Sequence, residues 1–247
     1  VMEELEGITG LKNVKDTVRG LIDYLDFMRE RKTLGLKAKD QITVHSIFLG
    51  NPGTGKTTVA RLMGRIFKGM GLLSKGDVIE VDRSALVGQY VGETAQKTEK
   101  IIEDSIGNVL FIDEAYTLVK KGATNDFGQE AIDVLLKRME DKKGEFFVIV
   151  AGYQNEMQDF LDANPGLRSR FTHTFNFEDY QPDELLEIFK KLIKDEDYRI
   201  ADDAEKLLFK ELGKIYRSRD NNFGNARTVR KLFEDAKLEV SKRYLSL

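Results

Sequence analysis

Apolar positions along this chain follow two rhythms. Five short apolar runs, at 44–49, 78–81, 109–112, 146–151 and 173–177, have the length and the β-branched or aromatic content of strands. Helical spacing separates them, at 57–70, 95–105, 129–141 and in a short turn near 156–163. A longer helix is predicted ahead of them at 12–31, with Val14, Val18, Leu21, Ile22 and Leu25 on one face. Strand alternating with helix predicts an α/β fold, a parallel five-stranded sheet with helices on both faces. After Phe177 the rhythm changes and only helices follow, at 182–194, 202–218 and 225–245. Asp183 and Asp202 suit helix caps or first-turn acids. Asp179-Tyr180-Gln181-Pro182 therefore reads as a linker, giving an α/β domain at 1–178 and a small helical lid at 179–247.

One strand–helix junction carries chemistry. Gly50-Asn51-Pro52-Gly53-Thr54-Gly55-Lys56-Thr57 fits the pattern G-x-x-x-x-G-K-[ST] at every fixed position. A predicted strand leads in, and a predicted helix leads out through Thr58. Glycines let the backbone turn tightly around an anion with its N–H groups inward. The helix adds the positive end of its dipole. Lys56 then reaches the β- and γ-phosphates, and Thr57 offers a hydroxyl to Mg²⁺. The ligand expected at residues 50–58 is a nucleoside triphosphate.

A second cluster predicts that the ligand is hydrolysed. Val109-Leu110-Phe111-Ile112 is a continuous apolar run, as expected of a strand buried on both faces, and it ends in Asp113-Glu114. Polar residues at the carboxyl end of such a strand face the crevice where ligands bind. Asp113 is expected to hold the Mg²⁺ that Thr57 also touches. Glu114 is expected to accept a proton from the attacking water.

Composition narrows the setting. Charged residues make up 33% of the 247-residue chain and the formal net charge is −3, with acids and bases mixed throughout. That balance gives no electrostatic footprint for nucleic acid. Without cysteine, disulfides and thiolate metal sites are excluded. His45 and His173 fall on predicted strands and read as structural. No apolar run approaches 18 residues and no signal-peptide pattern is present, so a cytoplasmic or organelle-interior protein is expected, with cytoplasmic the first reading. A chain that opens on Val1 leaves open a segment of something longer.

Several further stretches carry a resemblance. Leu86-Val87-Gly88-Gln89-Tyr90-Val91-Gly92 is followed by Thr94-Ala95-Gln96-Lys97-Thr98. Later come Phe127-Gly128-Gln129-Glu130-Ala131-Ile132 and Asn164-Pro165-Gly166-Leu167-Arg168-Ser169-Arg170-Phe171. With the phosphate loop, the Asp-Glu strand and the helical lid in this order, the chain resembles AAA+ ATPases. It is similar in particular to the CbbX/CfxQ-type branch, which includes red-type Rubisco activases and the stage V sporulation protein K group. The likeness runs from about residue 7 to 243.

The resemblance implies roles that spacing alone does not give. Arg170 would be an arginine finger serving a neighbour's γ-phosphate, with Arg168 in a supporting ion pair. A guanidinium suits that task because it stays charged and can bond two oxygens. Arg227, in Gly224-Asn225-Ala226-Arg227, would be the lid arginine that touches its own subunit's phosphates, with Arg230 as the fallback. Tyr90, between Gly88 and Gly92, would project into a central pore and grip a protein chain by contact area. The segment 120–127 would be a second pore loop. Its end overlaps Asp126-Phe127-Gly128, a kinase-like triplet with no other kinase motif beside it. At the fourth strand's end the chain reads Ala151-Gly152-Tyr153-Gln154-Asn155, where many AAA+ proteins place a polar Asn or Thr.

The expectation is a Mg²⁺-dependent ATPase that assembles into a homo-oligomeric ring, a hexamer, and remodels a protein partner. A nucleic-acid motor or clamp-loader-like ATPase is the first alternative, and a nucleotide-dependent assembly module the second. Tyr90 and the lack of a basic stripe count against the first, and Glu114 with Arg170 against the second.

Overall fold

The computed structural model describes residues 1–37, 42–90, 92–119 and 127–245. Val91 and all of the candidate second pore loop except Phe127 lie outside the described residues. The chain forms two compact units: Val1–Leu5, Lys12–Gly50 and Lys56–Asn176 in one, Glu6–Leu11, Asn51–Gly55 and Phe177–Leu247 in the other. The phosphate-binding motif is thus divided between them. Gly50, Lys56 and Thr57 group with the first unit, and the five residues between group with the C-terminal helices.

The first unit is built on β1 (Ser46–Gly50), β2 (Val78–Val81), β3 (Val109–Ile112), β4 (Phe147–Gly152) and β5 (His173–Phe177), in the order β2-β3-β4-β1-β5. Ser46 pairs with Ile149, Val109 with Phe147, and Val78 with Val109, all in parallel register. Every residue of β3 and β4 is buried, which is why both read as unbroken apolar runs. At the edge, β5 alternates, with Phe175 and Phe177 inward and Thr174 and Asn176 outward. Chains of this order bring the carboxyl ends of β1, β3 and β4 to one edge of the sheet, where Asp113 and Tyr153 directly follow β3 and β4 and the phosphate-loop motif follows β1.

Helices α1 (Met2–Glu6), α2 (Lys12–Thr33), α3 (Lys56–Gly69), α4 (Arg83–Leu86), α5 (Glu93–Asp104), α6 (Gly128–Asp141), α7 (Gln154–Asp162) and α8 (Pro165–Arg170) accompany the strands. Helix α2 buries Val14, Val18, Leu21 and Leu25, while Ile22 is only half-buried at the margin of that face. The short elements α1, α4 and α8 lie below the length at which periodicity speaks. Capping explains two of them. The Asp82 carboxylate accepts from the N–H groups of Ser84 and Ala85 to start α4. Asn164 accepts from the Gly166 N–H at 2.9 Å with Pro165 in the first turn, so Pro165-Gly166 starts a helix. His45 sits just ahead of β1 rather than on it.

The second unit holds α9 (Pro182–Asp195), α10 (Asp202–Arg217) and α11 (Ala226–Leu245). Leu185, Phe189, Ile193, Leu212, Val229 and Phe233 form its buried interior, with Phe189 and Phe233 edge to face at 5.8 Å. Gln181 and Glu184 make a reciprocal capping box before α9, and Pro182 opens the helix. Asp183 and Asp202 are first-turn acids, with Gln181 and Ala201 in the cap positions.

Candidate nucleotide-binding and catalytic site

The loop between β1 and α3 has the backbone that anion binding requires. Gly53 and Gly55 take φ of 72° and 93°, while Thr54 between them keeps an ordinary negative φ. That alternation turns successive N–H groups toward one side, an arrangement that fits a phosphate. Gly53 has a second reason to be glycine. A Cβ there would stand 2.2 Å from the carbonyl oxygen of Gly224.

Within the second unit this loop is held by groups far away in sequence. The Thr54 carbonyl accepts from the buried Tyr180 hydroxyl at 3.2 Å, and the Gly53 carbonyl from the Ala226 N–H at 3.2 Å. The Pro52 carbonyl accepts from Asn225 Nδ2 at 3.3 Å. Burial, with the Glu184 charge as a lesser cause, pushes the Tyr180 hydroxyl up to about 12, so it stays a donor. Arg227 begins the first turn of α11, exposed, with no hydrogen-bonding or ionic partner for its guanidinium among the described residues.

In the first unit, Lys56 Nζ donates to the Gly50 carbonyl at 2.8 Å, across the motif. Thr57 Oγ1 donates to Glu80 Oε1 at 3.4 Å, and Glu80 Oε2 is 3.4 Å from Arg61. Glu80 was not among the expected site residues. Its only sequence signal is a charge in an otherwise apolar β2. Asp113 caps its own neighbour, accepting the Glu114 N–H at 3.0 Å, while its N–H donates to the Val81 carbonyl at 2.9 Å. Glu114 adopts a left-handed backbone with φ of 48°, where a 3-10 turn at Ala115–Leu118 begins. Its side chain is exposed and bonds to no described residue.

Left-handed backbone at a carboxylate is a costly conformation of the kind that clusters at active sites. Beside it, Tyr116 has its hydroxyl pushed up to about 12, first by burial and then by the charge of Glu114. The rings of Tyr116 and Tyr153 lie 5.9 Å apart at the carboxyl end of the sheet. Tyr153 is the first residue after β4.

The two arginines of α8 both have intramolecular partners. Arg168 pairs with the Asp162 carboxylate, as expected of a supporting ion pair, and both groups are exposed. Arg170 pairs with Glu140 at 3.0 Å, with its side chain about one-third exposed. Its Nε is buried and has no hydrogen-bond partner among the described residues. An orphaned donor on a charged group is costly when buried.

The Tyr90 loop is less slack than its glycines suggest. Glu93 Oε2 accepts from the N–H groups of Gln89 and Tyr90 at 3.1 and 3.2 Å, and Thr94 Oγ1 from the Gly88 N–H at 3.0 Å. Gly88 is needed for that closeness, because a Cβ would fall 2.4 Å from Cβ of Glu93. The loop backbone is fastened to the first turn of α5, and Tyr90 itself stands 70% exposed.

A glycine-rich loop after β1, an acidic pair after a buried β3 and a helical C-terminal unit define a P-loop nucleoside triphosphatase fold. The family described as ATPase family associated with various cellular activities matches residues 46–179, and the AAA lid domain matches 181–247. Stage V sporulation protein K of Bacillus subtilis is 44% identical over 95% of this chain and 72% of its own. Protein CbbX of Cereibacter sphaeroides is 43% identical over 98% of this chain and 78% of its own. A chloroplastic ribulose bisphosphate carboxylase/oxygenase activase of Cyanidioschyzon merolae is 41% identical over 98% and 82%. In fold, a mutant RuvB of Thermotoga maritima superposes with a TM-score of 0.60, at 22% identity, covering 96% of this chain and 66% of that one. The chain belongs to the AAA ATPase family, in its CbbX/CfxQ-type branch.

Proposed function

We propose that this chain is a Mg²⁺-dependent ATPase that works as a ring, expected to be hexameric, and remodels a protein partner in the cytoplasm. The observation that carries hydrolysis is Glu114, an exposed carboxylate with no described partner, held one residue beyond Asp113 at the end of a fully buried strand. Such a carboxylate can accept a proton from water. Support for the metal is the donor set: Thr57 Oγ1, with Asp113 for the second contact, are hard oxygen ligands of the kind Mg²⁺ takes. When bound, the ion supplies charge neutralisation between the phosphates. Lys56 binds the β- and γ-phosphates once it leaves the Gly50 carbonyl. Arg170, on leaving Glu140, serves the neighbouring subunit's nucleotide, and Arg227 serves its own.

The protein client rests on Tyr90, an exposed aromatic on a fastened loop, and on relatives whose names include activases of another protein. No described helix is long and apolar enough to cross a membrane. The decisive experiment is Lys56→Ala. Calorimetry should find ATP affinity reduced by about 100-fold or more, since a charge-assisted contact to phosphate is lost. Turnover should vanish with it. Near-parental ATP affinity would remove this loop from the function. Stimulation of the parent by DNA but by no protein would favour the nucleic-acid motor.

A further inference from the structure

We propose that Asp179 is a positioning residue that sets the phosphate-binding N–H groups of the loop, a deepening of the nucleotide-binding reading above and resting on it. Asp179 Oδ1 accepts from Asn51 Nδ2 at 2.9 Å and from Asn225 Nδ2 at 2.8 Å. Its Oδ2 accepts from Arg219 Nε at 3.2 Å. Three donors meet one carboxylate, and all four residues lie in the second unit. Asn225 passes the constraint on. It is fully buried, left-handed at φ of 47°, and its Nδ2 also reaches the Pro52 carbonyl at 3.3 Å. Its Oδ1 accepts the Tyr180 N–H at 2.9 Å, which places the Tyr180 side chain whose hydroxyl holds Thr54.

The consequence follows from peptide planarity. The carbonyl of one residue and the N–H of the next lie at opposite ends of one rigid plane. Pro52, Gly53 and Thr54 have their carbonyls held by Asn225, Ala226 and Tyr180. The N–H groups of Gly53, Thr54 and Gly55 must therefore aim the other way, into the anion cradle. Asp179 is the common acceptor behind this arrangement. It orients Asn225 and fixes the Asn51 side chain at the start of the same loop. No contact between Asp179 and a phosphate is required; it acts through the residues it holds.

Asparagine at 179 is the same size but turns one acceptor into a donor that faces other donors. Asp179→Asn should lower affinity for a fluorescent N-methylanthraniloyl-ADP by about 10- to 100-fold, the loss expected for donors left without an acceptor. Arg219→Gln, at a partly exposed side chain outside the loop, should cost about three- to fivefold, because it loosens only the far oxygen of Asp179. Hydrogen exchange separates positioning from simple structural support. In the parent, ADP should slow exchange across both 51–57 and 223–229. In Asp179→Asn the protection at 223–229 should be lost while part of that at 51–57 remains. A structural role alone would lower the nucleotide-free melting temperature without changing which peptides ADP protects. If Asp179→Asn fails to fold, Arg219→Gln decides. Folded variants that bind within twofold of a nucleotide-binding parent, with unchanged protection, overturn the proposal. A parent that binds no nucleotide sinks the functional reading itself, a separate outcome.

Discussion

The tip of the phosphate loop and the acidic end of β3 are held in opposite ways. At the tip, three consecutive carbonyls and the Asn51 side chain are bonded to groups that are themselves buried or bonded. At the end of β3, Glu114 projects with a strained backbone and no described partner for its carboxylate. Tyr90 and Arg227 share that open condition. Groups that shape a binding cradle must be correct before the ligand arrives, because reorganising them would draw on binding energy. Groups that act during turnover, or on another molecule, need a free coordination position. On the proposed function, the loop tip is saturated before its ligand arrives, while the Glu114 carboxylate and the Tyr90 ring are left open to act.

The largest expected break of this comparison lies with Arg170, which belongs to neither condition. It is paired with Glu140 yet carries a buried Nε with no hydrogen-bond partner among the described residues. If it serves the neighbour's nucleotide, Arg170→Ala should lower ATP turnover by about 10³-fold or more, the range for a finger supplied in trans. Glu114→Gln should lower turnover by about 10²- to 10⁴-fold with ATP still bound, since glutamine cannot accept the proton. Mixing the two variants should restore part of the activity, because some interfaces then join an intact Glu114 to an intact Arg170. No recovery on mixing, with co-assembly shown by sedimentation, removes the shared site. Recovery with Arg168→Ala instead would transfer the role to Arg168.

These contrasts differ in how far the sequence announces them. The phosphate loop and Asp113-Glu114 are contiguous patterns, so one chain displays them whole, and β2, β3 and β5 occupy the residues their apolar runs predict. What holds the loop was not legible. Asp179 read as linker, yet its partners Asn51 and Asn225 lie 128 and 46 residues away. Asparagine and aspartate spell many local turns, and no periodicity singles out three that meet in space. The left-handed Glu114 and the orphaned Arg170 Nε are likewise products of tertiary packing. Helix α8 was hidden by a different cause: Pro-Gly signals a turn, but Pro after a capping Asn also starts helices.

Tyr90 sharpens the comparison at lower cost to the motor. Its backbone is fastened by Glu93 while its ring is free, so Tyr90→Ala should leave the loop in place and basal turnover within about twofold. Stimulation by a protein partner should be lost, and Tyr90→Phe should keep much of it because contact area survives. Remodelling at parental rate by Tyr90→Ala, measured on a client identified by pull-down, would place the grip elsewhere.

The smallest effect on turnover is expected at a saturated group remote from the loop. His45 is buried ahead of β1, where its Nδ1 accepts the Val148 N–H at 3.0 Å. Phe146, Phe147 and Phe171 surround it edge-on. Burial, and after it the charges of Arg170, His173 and Lys143, hold its pKa down to about 4, against 6.5 in the unfolded chain. The unfolded state therefore takes up the proton first as pH falls. Stability from the neutral ring is fully present above about pH 6.5 and is lost as pH drops toward 4, amounting to about 3 kcal/mol by linkage. His45→Asn keeps an acceptor for Val148 but has nothing to titrate. Urea midpoints of parent and variant, compared from pH 7 to pH 4, should draw together or cross as the parent loses stability faster. ATP turnover at pH 7 should stay within about twofold of the parent, since no phosphate-binding group is touched. Parallel curves would mean that the ring is charged in the fold, and that this buried group is less saturated than its single hydrogen bond implies.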